Sequence, residues 1–137
     1  MSNPALLLAA QSGDVDTVNA LVTPSNINLA DENGISALHA AAIGNQLGIV
    51  ELLLARGADV SHRTANGRTV LHNACARSST AIVSILLDAG SQLDDVAPSG
   101  GADGGTLSAL DFALDWNRQE TVELLRSRGA KSASSRA

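Results

Sequence analysis

Aromatic residues are nearly missing from this 137-residue chain, which has one Phe, one Trp and no Tyr although 45% of it is hydrophobic. A core without rings has to be built from Ala, Val, Leu and Ile, small or branched side chains that let short helices approach closely. The single cysteine, Cys75, excludes an internal disulfide framework and is compatible with a reducing compartment, the cytoplasm or the nucleus. No apolar run approaches the roughly 20 residues of a membrane span. The apolar stretch after Pro4 has no basic residue before it and turns polar from Gln11 to Asp16, where a signal peptide would need its cleavage site. Positive charge is also scarce: a net charge of −5 argues against a general nucleic-acid binder, which needs a basic face. These absences leave a single intracellular domain with no membrane segment.

What the chain has instead is a period. Gly34, Leu38, His39, Val50, Leu53 and Gly57 recur 33 residues later as Gly67, Leu71, His72, Val83, Leu86 and Gly90. Self-similarity at 20 to 50 residues marks one supersecondary unit stacked on copies of itself, each unable to bury its apolar face alone. Within a unit, residues 36–44 predict a short helix with Ser36 as N-cap, ended at Gly44 and Asn45. Residues 47–56 predict a second helix, with Ile49, Val50, Leu52 and Leu53 as its apolar stripe and Gly57 at its end. The following stretch, with Asp59, Asn66 and Gly67, reads as a hairpin-like finger.

Ser36-Ala-Leu-His-Ala-Ala41 and Thr69-Val-Leu-His-Asn-Ala74, each followed by an Ile-Val-x-(Leu/Ile)-Leu-Leu run and a glycine, resemble the ankyrin repeat. The resemblance extends to a first copy around Gly13, Val18 and Leu21 and to a last one around Ser108-Ala-Leu-Asp-Phe-Ala113. It implies an all-α solenoid of four helix-turn-helix repeats with short finger loops, in one domain over residues 1–130. The repeats fall at about 3–30, 31–63, 64–95 and 96–130, and residues 131–137 read as a disordered tail. Polar residues at both ends, Gln11, Asp14, Asp16 and Asn19 in the first unit and Arg118, Gln119, Glu120, Glu123, Arg126 and Arg128 in the last, predict capping repeats and a complete domain.

The chain departs from the family pattern in three places. The motif proline is replaced by Ala37, Val70 and Ala109, which predicts slightly weaker helix starts. The turn glycine is replaced by Asn45, Ser78 and Asn117; Asn tolerates positive φ and Ser does not, so the third turn is expected to be irregular. The period lengthens to 39 between the last two copies, Leu71 to Leu110, with six extra residues within 98–105. This glycine-rich insertion lacks the Lys of a phosphate-binding loop and reads as a flexible finger that can also serve as a partner contact.

His39 and His72 occupy the histidine of the family motif, whose implied role is to hydrogen-bond a neighbouring loop; repetition fits a stacking role better than a single active site. His72 and Cys75 are spaced as two metal ligands, but no second pair accompanies them and Cys75 stands at a small core position, so neither a metal nor a cofactor is expected. No nucleophile, base and orienting group come together, and the chain is expected not to be an enzyme.

The resemblance further implies a monomeric module that binds another protein through the concave face of its fingers and first helices. Carried over position by position, that face offers Glu32, Asn33, Ile35 and Ile43, then Asn66, Arg68 and Arg77, then Leu107, Asp115 and Trp116, with Ala65, Ala76, Gln11 and Ser12 beside them. Trp116, the sole tryptophan, reads either as a binding anchor or as cover for the last repeat. Two other readings stay open: a small-ligand or enzymatic pocket around Arg68, Arg77 and Asp115, and an anionic-polymer site on Arg63, Arg68 and Arg77.

Overall fold

In the computed structural model, residues 3–93, 95–98 and 105–130 are described; the core of the insertion and the 131–137 tail lie outside them. Among the described residues the helices come in pairs: α1 Pro4–Ser12 and α2 Val15–Leu21, α3 Ala37–Ile43 and α4 Leu47–Ala55, α5 Val70–Arg77 and α6 Thr80–Asp88, α7 Ala109–Asp115 and α8 Gln119–Ser127. Two short strands, β1 Val96–Pro98 and β2 Thr106–Ser108, precede α7. The first helices pack in the order α1, α3, α5, α7 and the second helices in the order α2, α4, α6, α8, giving a two-layered, all-α solenoid.

The first helices α3, α5 and α7 each start on a hydroxyl. Ser36, Thr69 and Ser108 accept the backbone N–H of His39, His72 and Asp111, filling one of the donors a helix start leaves unpaired. At Thr69 and Ser108 the third helical residue reciprocates, because the His72 ring and the Asp111 carboxylate accept the cap residue's own N–H at 3.0 and 2.9 Å. Asn3 does the same work for α1, with Pro4 at the first helical position.

Leu38, Leu53, Leu71, Leu86 and Leu125 are wholly buried between the layers, each contributing about 1.5–3 kcal/mol of transfer free energy. Ala40, Ala41, Ala42 and Ala74 keep the first helices close. Gly44, at ordinary helical dihedrals, is required for this approach and not for its conformation, since a Cβ there would lie 2.0 Å from the Gln11 carbonyl oxygen.

Asn45 and Asn117 take left-handed turns at φ 58° and 57°, as expected of asparagine. Ser78 does not: at φ −105° it is extended, α5 runs one residue further than α3 does, and no strained dihedral arises. The third turn is irregular for a tertiary reason. The buried Ser78 hydroxyl donates to the Ala42 carbonyl at 2.6 Å, and Arg118 donates to the Ser78 carbonyl.

The fingers are tight turns closed by Asp31 N–H to the Ile35 carbonyl and Thr64 N–H to the Arg68 carbonyl, at 3.0 and 2.9 Å. Gly34, at φ 77°, is doubly required, because a Cβ would also lie 2.6 Å from the Ala65 nitrogen of the next finger. The fourth finger is a true antiparallel pair, Val96 opposite Ser108 and Pro98 opposite Thr106. The polar outer face expected of the first repeat is interrupted by Leu8 and Val15, 68% and 47% exposed.

Candidate functional site

Fingers two and three and helices α3 and α5 enclose an open groove of ≈ 430 Å³. Its wall includes Asn33, Ile35 and Ile43 from the second repeat and Asn66, Arg68 and Arg77 from the third, with Gln11 at one end. Each position follows from the repeat. Ile35 and Arg68 precede the caps Ser36 and Thr69, while Ile43 and Arg77 sit in the last turns of α3 and α5. Arg77 also borders a second recess, of ≈ 500 Å³, between the third and fourth helix pairs.

Arg68 is held from two sides. Its guanidinium carbon lies 5.0 Å from the centroid of the Phe112 ring, and its carbonyl faces Nε2 of His39 at 3.3 Å. Its Nε is buried and makes no hydrogen bond. Asn73, on α5, is only 8% exposed and lines the groove, yet its amide has no hydrogen-bond partner among the described residues. Its Oδ1 and Nδ2 keep contact with the solvent of the groove, where a ligand could bond them.

Other predicted positions fall outside the groove. Glu32 is exposed on the second finger, and Leu107 is half-buried in β2. Asp115 and Trp116 are exposed at the end of α7, one repeat beyond Arg77, with Trp116 at 55%. Ala76, expected to face outward, is buried at 8% exposure. The three arginines of the anionic-polymer reading do not form one patch: Arg63 donates to the carbonyls of Gly67 and Val96 at 2.6 and 2.7 Å and lies 3.9 Å from Asp95, so it bridges two fingers.

The histidines do stitch the repeats. His72 Nε2 donates to the Asp95 carbonyl at 3.0 Å, one finger further on than the His39 contact. Burial pushes His39 down to about 4 and lowers His72, so both rings are neutral at pH 7. His62 stacks edge-on to His39 at 5.7 Å and donates to the Gly34 carbonyl. Cys75 is buried, and desolvation pushes its thiol up to about 12, the behaviour of a packing residue.

Two residues that shape the site, Asn73 and Phe112, escaped the sequence reading. Both occupy the variable position after the motif His or Asp, where the second repeat has Ala40. A polar and an aromatic residue at an otherwise alanine-sized site are the signal that marks them.

Residues 6–97 and 46–135 match the family model described as ankyrin repeats in three copies. The chain is also similar to the palmitoyltransferase akr1 of Schizosaccharomyces pombe, 46% identical over 59 residues that make up 42% of this chain and 9% of that protein. A second relative, the palmitoyltransferase AKR1 of Candida glabrata, is 37% identical over 54 residues, 37% of this chain and 7% of that protein. The chain thus spans less than a tenth of these relatives. With four stacked helix pairs and interlocked fingers among the described residues, and a family match over most of its length, the chain belongs to the ankyrin-repeat family.

Proposed function

We propose that this chain is a protein-interaction module that binds a partner protein, as a monomer in the cytoplasm or nucleus, through the groove between its fingers and first helices. The observation that carries this reading is the division of labour within the repeat. Positions that recur, the cap hydroxyls, His39 and His72, and the leucines, are buried in the scaffold. Positions that differ, Ile35 against Arg68 and Ile43 with Gly44 against Ala76 with Arg77, surround the groove or lie beside it. A wall braced by caps and interfinger hydrogen bonds loses little entropy on docking. Trp116, exposed one repeat beyond Arg77, has the composition of an energetic anchor.

Use of the groove for small-ligand chemistry has less support. Asp115 does not join Arg68 and Arg77 in its wall, and the buried groups with shifted pKa values, His39, His72 and Cys75, do not line it. Palmitoyl transfer belongs to the relatives whose names carry it, and the short matches give no ground to extend it to this chain.

Quantitative affinity capture from the native cell with the intact chain and with Ile43→Arg tests the reading. Proteins retained by the intact chain and lost by a stably folded Ile43→Arg variant are expected. Identical partner sets for both would overturn the groove as the binding surface.

A further inference from the structure

The groove carries a charge opposite to that of the molecule. The chain has a net charge of −5, yet the groove wall contains two arginines and no carboxylate. The guanidinium carbon of Arg68 lies 5.0 Å from the centroid of the Phe112 ring, with its Nε buried and unpaired. Arg77 is exposed and has no hydrogen-bond or ion-pair partner among the described residues. Asn73 presents to the same groove an amide that makes no hydrogen bond among the described residues, and Ile35 and Ile43 supply an apolar wall on the side of the second repeat.

From these positions we infer that the groove recognises a segment of the partner protein bearing a carboxylate next to an aliphatic residue. The carboxylate sits against Arg68 and Arg77, the Asn73 amide bonds the segment's main chain, and the aliphatic side chain rests on Ile35 and Ile43. This inference rests on the proposed use of the groove for protein binding. A guanidinium held against a ring has already lost part of the freedom that binding would otherwise remove, and its donors match a carboxylate. An amide with no partner in the fold bonds a ligand in exchange for water, without giving up an internal hydrogen bond. A local positive field on an acidic protein favours an acidic segment and disfavours a basic one.

The test uses the full chain and pools of short peptides, degenerate except for a fixed central Glu, Gln, Lys or phosphoserine, with binding read by fluorescence anisotropy. The Glu pool is expected to bind about tenfold more tightly than the Gln pool, and the Lys pool more weakly than either. Arg77→Gln should erase the preference for Glu, and Arg77→Glu should transfer it to Lys, with melting temperatures unchanged because the side chain is exposed. Asn73→Ala should weaken the Glu and Gln pools equally, which a charge effect would not do. Glu and Gln pools bound alike, or a preference for phosphoserine without one for Glu, would overturn the inference; if Ile43→Arg still abolished that binding, the groove reading would stand. Binding of the Glu pool that survives Ile43→Arg would sink both, and failure of every pool to bind would sink the inference.

Discussion

Nε2 of His39 lies 3.3 Å from the carbonyl oxygen of Arg68, which has no proton to give, so the ring carries its proton on Nε2 and presents a bare Nδ1 to the Ser36 hydroxyl 3.0 Å away. The same tautomer holds at His72, whose Nδ1 accepts the Thr69 N–H at 3.0 Å. A second proton on that ring would set two donors against each other.

Stability should therefore fall in mild acid. The folded value of His39 is about 4, below its ordinary 6.5, so between these pH values the unfolded chain takes up a proton that the folded chain refuses. The contribution is complete above 6.5 and lost as pH falls through the folded value, on the order of 3 kcal/mol in all. His72 acts in the same direction. Urea midpoints measured across this range should drop, and His39→Asn should flatten the dependence; a flat profile for the intact chain would refute the assignment.

Gly44→Ala and Gly48→Ala should differ in sign. A methyl at Gly44 meets the Gln11 carbonyl and forces the first two repeats apart, costing about 1–3 kcal/mol by overpacking. Gly48, within α4, has open space around it, so alanine should stabilise by roughly 0.5–1 kcal/mol through helix propensity. Thermal melts of the two variants decide it, and equal shifts would contradict the packing.

At the turns, Ser78→Gly should destabilise by about 1–2 kcal/mol, because it removes the buried bond to the Ala42 carbonyl and relieves no strain. Asn117→Gly, at φ 57°, should be neutral or stabilising by up to about 1 kcal/mol. A stabilised Ser78→Gly in denaturant titration would mean that the third turn is left-handed after all.

Cys75 should resist thiol reagents in the folded state and react only on opening. Its thiol is buried and pushed up to about 12, leaving almost no thiolate at neutral pH. Labelling is expected to accelerate by orders of magnitude through the urea transition and to track unfolding. Fast labelling without denaturant would contradict the buried position.

The 33-residue period and the cap residues made the helix pairs, their order and the scaffold role of the histidines legible, because each depends on local spacing or on a contact repeated in every unit. The groove was legible where the family position of a side chain decides its exposure, as at Ile35, Ile43, Arg68 and Arg77. It was not legible at Ala76, whose burial depends on the neighbouring helix, nor at Asn73 and Phe112, whose importance comes from contacts across repeats.

The architecture follows from the order of residues along the chain: short helices too apolar on one face to stand alone, spaced so that only stacking buries them. Tertiary structure alone decided where the third turn went, since the Ser78 hydroxyl found a carbonyl in the preceding repeat and its dihedral followed that bond. It also decided that the buried Nε of Arg68 stays unsatisfied, because a partner would have to come from elements distant in the chain.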